Sequence, residues 1–150
     1  MKPAAPGRTV LGVAEVVLWT RNMEESLAFY RDLFGLTLFS DPGFPAKFLK
    51  AGEGTDRIPQ MVVLFPNPTP KEGPAVPPPG SSQPPVLHHL AFAVDPNRFD
   101  ELRRRLADAG FDVRHGLHPI LEGVRTFYVD DPDGNEVEVI AKDRRGRMRE

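Results

Sequence analysis

The sequence predicts an α+β fold in which a βαβββ module occurs twice. Each half begins with an apolar stretch, continues with a charged helix that stops at a glycine, and then returns to short apolar stretches. The two glycines, Gly35 and Gly110, stand 75 positions apart. The opening stretches, residues 15–19 and 89–93, match at an offset of 74 positions, so the repeat extends over whole modules.

The 150 residues are predicted to form a single domain (1–150), because neither module is large enough to be stable alone. Residues 10–65 form the first module and residues 86–142 form the second. A proline-rich linker, residues 66–85, connects them, and residues 143–150 form a basic tail. We therefore expect the two modules to share one core or to exchange partners between subunits.

Composition excludes several classes of partner. The net charge is −2, so no broad attraction to nucleic acid or to an anionic membrane is expected. The apolar runs are far shorter than the roughly 20 residues that a membrane-spanning helix needs, and residues 1–8 lack the apolar segment of a signal peptide. The chain has no cysteine, which excludes disulfides and thiolate ligands and is typical of a cytoplasmic protein.

In the first module, the helix signals are strongest around Asn22. This residue is a predicted N-cap, and Glu24 and Glu25 follow in the first turn, where the helix dipole favours acidic side chains. An apolar face at helical spacing then runs as far as Gly35, which ends the helix. The strands of this module are predicted at residues 10–19, 36–39, 46–50 and 60–65.

The linker is defined by its prolines, since nine of the 20 residues from Pro66 to Pro85 are proline. Proline lacks a backbone N–H and has a restricted backbone, so this stretch is neither a helix nor a central strand. We expect an extended, polyproline-like connection between the modules. A loop that covers a binding pocket is the alternative interpretation.

The second module repeats the order of the first. Its helix is expected to begin at Asp95 or Asn97 and to end at Gly110. The Asp-Pro-Asp-Gly sequence at residues 131–134 is typical of a tight turn, so it joins the last two strands into a hairpin. The strands of this module are predicted at residues 86–94, 111–114, 124–129 and 136–140.

The hairpin prediction specifies which residues pair. Equal spacing about Asp133 places Tyr128 beside Glu138 and Thr126 beside Ile140. Alternate residues of a strand share a face, so these four side chains are expected on one side of the sheet. Tyr128 and Thr126 are therefore predicted to line the same cavity as Glu138 and to contact the substrate.

One imidazole and two carboxylates are the predicted metal ligands. The repeat places Glu15 and His89 at equivalent positions of equivalent strands, where a pseudo-twofold axis would bring them together, and Glu138 is the third ligand. These donors suit a divalent Mn, Fe, Ni, Co or Zn ion with positions left open for substrate. By strand alternation His88 points away from His89, so at most one of the two is expected to face the site.

Three motifs resemble the vicinal oxygen chelate superfamily, the group of glyoxalases, bleomycin-resistance proteins and extradiol dioxygenases. Residues 23–36 are similar to its first helix, residues 88–92 to the opening strand of its second module, and residues 131–138 to its closing hairpin. The motifs occur in the right order, and the resemblance covers roughly residues 10–142. It implies that paired βαβββ modules form an open, cupped mixed sheet around one metal ion, and that the protein is a homodimer.

The resemblance also implies roles for individual residues. The metal-binding positions of glyoxalase I in this superfamily correspond here to Glu15, Val63, His89 and Glu138, and a valine cannot bind a metal. Histidine or glutamine is commoner than glutamate at the first of these positions. A first-module carboxylate takes part in proton transfer in glyoxalase I, so the resemblance implies a catalytic role for Glu15.

Two functions remain open at this point. The first is a metal-dependent enzyme of lyase, isomerase or oxygenase type, in which the ion chelates two adjacent oxygens of a small molecule. Tyr128, as a catalytic residue, and Thr126 would orient those oxygens, since they match cavity residues of the fosfomycin-resistance members. The second is a metal-free protein that sequesters a small molecule, as the bleomycin-resistance members do, with Glu15 and His89 as a hydrogen-bonded pair.

Overall fold

The computed structural model of the chain describes residues 11–55, 57–66 and 87–143, which form two four-stranded sheets. The predicted linker and basic tail lie outside the described residues, apart from Pro66 and Asp143. The first sheet contains β1 (Glu15–Thr20), β2 (Thr37–Leu38), β3 (Lys47–Thr55) and β4 (Ile58–Pro66). The second contains β5 (Leu90–Ala93), β6 (Arg114–Gly116), β7 (Val124–Asp130) and β8 (Glu136–Lys142). The helices are α1 (Met23–Leu27), which continues as a π-helical segment (Ala28–Leu33), and α2 (Phe99–Asp108).

The two sheets have the same topology. Their strand orders are β1-β4-β3-β2 and β5-β8-β7-β6, and the first strand of each module runs parallel to the last. Val16 pairs with Val62 in the first sheet, and Leu90 pairs with Val137 in the second. These pairs are related by offsets of 74 and 75 positions, so the register confirms the predicted repeat of a βαβββ module.

Two strand boundaries of the second module differ from the prediction. The sequence predicts β5 from residue 86, but the strand begins at Leu90, which pairs with Val137 near the start of β8. The sequence predicts β6 at residues 111–114, whereas the strand is Arg114–Gly116, opposite β7. The preceding apolar residues 111 and 113 pack against the core instead. Apolar composition alone therefore does not set the ends of these two strands.

Both helices begin and end near the predicted positions. Asn22 is the N-cap, and its Oδ1 accepts the backbone N–H of Glu25 at 3.2 Å. The helix widens into π-helical turns at Ala28–Leu33, and Gly35 follows with a φ of 79°. Gly110 follows α2 with a φ of 92°, a conformation that glycine adopts without steric cost. Among the described residues, no helix is long and apolar enough to cross a membrane.

The first helix packs against the second module, so the two modules share a core. The ring of Phe29, which is fully buried, lies 5.1 Å from that of Phe111, measured between centroids. The rings of Phe34 and Phe92 lie 5.3 Å apart. Because these contacts join residues of different modules into one hydrophobic cluster, the expectation of a shared core is confirmed.

Hydrogen bonds to one buried carboxylate connect the first helix to the β7–β8 turn. The Tyr30 hydroxyl donates to Asp131 Oδ2 at 2.7 Å, and both residues are buried. Asp131 Oδ1 accepts the backbone N–H groups of Asp133 at 2.9 Å and Asn135 at 2.8 Å. Burial raises the pKa of Asp131, and the hydrogen bonds from Asn135 and Tyr30 oppose part of that increase. The turn thus takes its position from a side chain of the first module.

Asp133 makes a second connection between the same two parts of the chain. Its Oδ1 accepts the backbone N–H of Arg21 at 2.9 Å, and its Oδ2 accepts the hydroxyl of Ser26 at 3.2 Å. Both donors lie at or near the start of the first helix, where a negative charge is favourable. Two carboxylates of one turn therefore hold the closing hairpin against the first module.

Replacement of Tyr30 by phenylalanine is expected to lower the free energy of unfolding by about 1–3 kcal/mol, because a buried carboxylate loses a hydrogen-bond donor. Chemical denaturation followed by circular dichroism measures the change. Thr37→Val is the control, since Thr37 is an exposed residue of β2 and its variant should lose less stability. Equal losses in the two variants would contradict the role assigned to Tyr30.

Candidate metal and substrate site

The open face of the second sheet carries most of the predicted site residues. Tyr128 pairs with Glu138 and Thr126 pairs with Ile140, so the predicted hairpin register is confirmed. On the other side of β8, Ala91 pairs with Glu138. Since alternate side chains share a face, these residues form the floor of one surface, whereas the residues between them face the core.

Glu138 is the buried acidic residue of this surface, with 3% of the residue exposed. Its Oε1 accepts the hydroxyl of Tyr128 at 3.1 Å, and its Oε2 lies 3.2 Å from Nε2 of His89. The rings of His89 and Tyr128 meet edge to face with their centroids 6.1 Å apart. Both carboxylate oxygens therefore have a polar partner, as a buried carboxylate requires. The structure brings His89, Glu138 and Tyr128 into one cluster.

The protonation of Tyr128 follows from its surroundings. Burial raises the pKa of its hydroxyl, and the charge of Glu138 adds to the increase. A tyrosine with a raised pKa keeps its proton at neutral pH. The Tyr128 hydroxyl is therefore a hydrogen-bond donor in the resting protein.

Thr126 lies deeper in the same surface. Only 4% of it is exposed, and its Oγ1 has no hydrogen-bond partner among the residues that the structure describes. Gly116 of β6 lies opposite Thr126. A Cβ at position 116 would collide with Oγ1 of Thr126 and would lie 2.8 Å from Cε2 of Tyr128. The glycine therefore makes room for both side chains, and the buried hydroxyl is a polar group that a ligand can use.

Glu15 lies on the other sheet. It pairs with Met61 between β1 and β4, and its side chain is exposed. Within the described parts of the chain, it is not one of the residues that contact His89 and Glu138. The convergence of Glu15 with these two residues stays a prediction.

The open face of the first sheet is apolar around Glu15. Val63 pairs with Val17 between β4 and β1, and Glu138 pairs with Ala91 between β8 and β5. Val63 therefore occupies in the first sheet the position that Glu138 occupies in the second. Val17 is 50% exposed, and Trp19 and Phe65 are also exposed. The rings of Trp19 and Phe65 lie 6.0 Å apart, edge to face. This face combines one carboxylate with exposed aliphatic and aromatic side chains.

Two residues that sequence reasoning left out of the site lie beside His89. The donor atoms of His88, His89 and Glu136 all lie within 4.8 Å of one another, and Nδ1 of His88 is 2.8 Å from Nδ1 of His89. The prediction that His88 points away is wrong, because the regular strand begins only at Leu90 and alternation does not apply before it. Glu136 shares a face with Glu138 by strand alternation, so the sequence alone could have indicated that Glu136 lies near the site.

Arg114 holds Glu136 in place. Its Nη2 donates to Oε2 of Glu136 at 3.1 Å and to Oδ1 of Asp130 at 2.7 Å. The hydrogen bond to Asp130, followed by the interactions with Glu136, raises the pKa of Arg114. Arg114 pairs with Tyr128 across β6 and β7, which places it on the open face of the second sheet.

His115 and His118 lie outside the cluster. His115 is exposed. Nδ1 of His118, which is half-buried, accepts the backbone N–H groups of Ile120 at 3.2 Å and Leu121 at 2.9 Å. His118 therefore stabilises the loop that precedes β7.

Comparison with known protein families identifies the family to which the chain belongs. A sequence model described as the Glyoxalase/Bleomycin resistance protein/Dioxygenase superfamily matches residues 12–139, which span both sheets and the cluster around His89. The chain belongs to this superfamily. The resemblance recognised from the helix and hairpin motifs is thereby confirmed, and so is the fold of paired βαβββ modules that it implies.

Relatives of this superfamily member include proteins with different reactions. The chain is 28% identical over 133 residues to catechol-2,3-dioxygenase of Bacillus subtilis (strain 168), a match that covers 89% of this chain and 41% of that relative. A crystal structure of a glyoxalase/dioxygenase from Nostoc punctiforme has a TM-score of 0.68 at 25% identity and covers 95% of this chain and 97% of its own. Lactoylglutathione lyase from Agrobacterium tumefaciens has a TM-score of 0.62 at 28% identity and covers 93% and 100%.

In this superfamily member, Gly116→Ala is expected to lower the free energy of unfolding by about 1–3 kcal/mol, because the added methyl group overpacks the face that holds Thr126 and Tyr128. Thermal denaturation measures the loss. Gly12→Ala is the control, since no atom lies within 4 Å of a Cβ placed there. A Gly116→Ala variant as stable as the Gly12→Ala variant would show that this face is loosely packed.

Proposed function

We propose that the protein is a metal-dependent enzyme of lyase, isomerase or oxygenase type that binds a small molecule through two adjacent oxygens. The observation that carries the proposal is the cluster of His89, Glu138 and Tyr128 on the open face of the second sheet. The names of its relatives support chemistry on a small molecule, since they include a dioxygenase and a lyase.

The donor atoms around His89 fit a divalent ion. Imidazole nitrogen and carboxylate oxygen are borderline to hard ligands, which suit Mn, Fe, Ni, Co or Zn. Three such side chains, His88, His89 and Glu136, already lie close to one another, and Glu138 contacts His89 from the other side. A bound ion would supply a Lewis acid that stabilises negative charge on a substrate oxygen.

Tyr128 and Thr126 are proposed to orient the substrate. The Tyr128 hydroxyl keeps its proton, so it can donate a hydrogen bond to a substrate oxygen while Glu138 fixes its position. The Thr126 hydroxyl has no partner among the described side chains, so it is free to donate or accept. Two such groups on one face would hold a substrate with two adjacent oxygens in a single orientation.

Glu15 is proposed as a metal ligand and as the group that moves a proton, and a second subunit is proposed to bring it to the cluster. Its side chain is exposed on the first sheet beside Val17 and Trp19. Exposed apolar residues grouped on one face are typical of an interaction surface. In a homodimer of twofold symmetry, this face of one subunit could cover the open face of the second sheet in its partner.

A metal-free protein that sequesters a small molecule is the second candidate. The observation that favours it is the apolar face formed by Val17, Trp19 and Phe65, which suits a bulky apolar ligand. Valine at position 63 removes one possible ligand from the same face. His89 and Glu138 would then be a hydrogen-bonded pair without an ion.

Protein purified without a chelator is expected to retain about one divalent ion per chain, as three-ligand sites in enzymes do. His89→Ala should lose most of this metal, because the His89 imidazole contacts Glu138 and also lies close to His88 and Glu136. His115→Ala is the matched control, since this exposed histidine lies outside the cluster. Elemental analysis by mass spectrometry measures the content. Wild-type protein that binds no divalent ion even when it is supplied would favour the sequestering function.

The protein is expected to be a homodimer, and Trp19→Glu should shift it towards the monomer by placing a charge on the apolar face. Light scattering coupled to size-exclusion chromatography at micromolar concentrations measures the mass. Ala107→Glu is the control, because Ala107 is exposed on the solvent side of α2. A wild-type monomer across that concentration range would contradict the proposed dimer.

A further inference from the structure

The loop between β6 and β7, residues 117–123, exposes three apolar side chains beside the candidate site. Leu117 is 62% exposed, Ile120 82% and Leu121 47%, and none of the three belongs to the hydrophobic core that the described residues form. We infer that this loop and the adjoining end of the open face bind the apolar part of a small molecule whose two adjacent oxygens bind at the other end. The inference rests on the proposed function and adds a substrate class, in which an aliphatic or aryl group is attached to the pair of oxygens.

One end of the open face of the second sheet is polar and charged. Arg114 pairs with Tyr128, and Tyr128 pairs with Glu138, so these three residues form a row across β6, β7 and β8. In the row beyond it, Asp130 pairs with Glu136, and both accept hydrogen bonds from Arg114. Hydrocarbon placed against these groups would desolvate them without replacing their hydrogen bonds to water. This end therefore suits the polar part of a ligand.

The next row of the open face, towards the β6–β7 loop, consists of small and apolar residues with one hydroxyl. Gly116 pairs with Thr126, Thr126 with Ile140, and Ile140 with Ala93. This row lies two residues from the row of Tyr128, a distance of about 6.4–6.8 Å along the strands. Ala93 is exposed and Ile140 is half-buried, so the hydrocarbon of this row is accessible. A ligand that spans both rows meets polar groups at one end and hydrocarbon at the other.

The β6–β7 loop continues the apolar row, because both of its ends lie beside Thr126. The loop begins directly after Gly116, which pairs with Thr126. The next strand begins at Val124, two residues before Thr126 and on the same face. Val124 pairs with Lys142, which is exposed, so the face returns to a charged residue beyond the apolar region. The apolar region therefore has room for a group of limited length.

Hydrogen bonds hold the loop in place. Nδ1 of His118 accepts the backbone N–H groups of Ile120 at 3.2 Å and Leu121 at 2.9 Å. Where the loop ends, the backbone N–H of Asp143 donates to the carbonyl oxygen of Gly123 at 2.6 Å. A backbone that is already ordered reduces the entropy lost when a ligand covers its side chains, and grouped exposed apolar residues are typical of a binding surface. His118 is therefore a positioning residue for Ile120 and Leu121.

A series of hydroxamic acids tests the inference, because each carries two adjacent oxygens at one end and an alkyl chain at the other. Calorimetry measures the affinity of acetohydroxamic, butanohydroxamic and hexanohydroxamic acid for the full-length protein loaded with Co²⁺ and freed of unbound ion. The wild type should bind up to about fourfold more tightly for each added methylene that becomes buried. Ile120→Ser and Leu121→Ser should each weaken the binding of hexanohydroxamic acid about 10-fold and leave that of acetohydroxamic acid unchanged.

Matched variants separate the loop from general effects of substitution. Ile58→Ser is the control for Ile120→Ser, since Ile58 is 53% exposed but lies on the first sheet, and it should bind all three acids as the wild type does. His118→Phe removes the acceptor and should flatten the dependence on chain length. His118→Asn should restore it, because asparagine side chains accept backbone N–H groups two residues further along in turns. Circular dichroism establishes that each variant is folded.

The possible results distinguish this inference from the proposed function. Equal affinities of the wild type for the three acids would overturn the inference and leave chelation of adjacent oxygens standing. A steep series that persists in Ile120→Ser and Leu121→Ser would also overturn it, and a shift of these variants to the monomer in light scattering would assign the loop to a subunit contact. Binding of hexanohydroxamic acid alone, abolished by the loop variants, would support the apolar site and contradict the proposed chelation. Absence of binding of all three acids would overturn both.

Discussion

The carboxylate of Asp131 is the constraint on which the candidate site depends. It receives one hydrogen bond from Tyr30 of the first module and three from the turn that joins β7 to β8. Those two strands carry Tyr128, Glu136 and Glu138. A buried charge that needs several donors tolerates little displacement, because each lost hydrogen bond leaves a desolvated acceptor. The β7–β8 turn therefore fixes where the candidate site lies, although the turn itself supplies none of the candidate ligands.

The parts of the fold that could be predicted from sequence are those that depend on local chemistry. An Asp-Pro-Asp-Gly turn permits few hairpin geometries, so the pairing of Tyr128 with Glu138 followed from counting along two strands. Gly35 and Gly110 mark helix ends because glycine adopts a positive φ without strain. The π-helical turns at Ala28–Leu33 had no such signal, since their residues have ordinary helical spacing.

The parts of the site that could not be predicted depend on which segments are neighbours in space. Alternation assigned His88 to the wrong side, because the start of β5 is set by its pairing with β8 and not by the apolar residues of β5 itself. The position of Glu15 depends on how the open faces of the two sheets are arranged, a property of tertiary and quaternary structure. Sequence symmetry identifies Glu15 and His89 as equivalent positions, but equivalence under a repeat does not make two residues neighbours.

The equivalence of Val63 and Glu138 has a consequence for how such a chain can diverge after internal gene duplication. Both residues lie at the same point of the same strand topology and are buried to a similar degree, yet one side chain is aliphatic and the other carries a carboxyl group. Because a strand sends alternate side chains to opposite sides, the packing that specifies the fold and the chemistry of the open face reside in separate sets of residues. Mutation and selection could therefore make one copy a hydrophobic recognition surface and the other a polar reaction surface, while the common ancestor's scaffold remained intact in both.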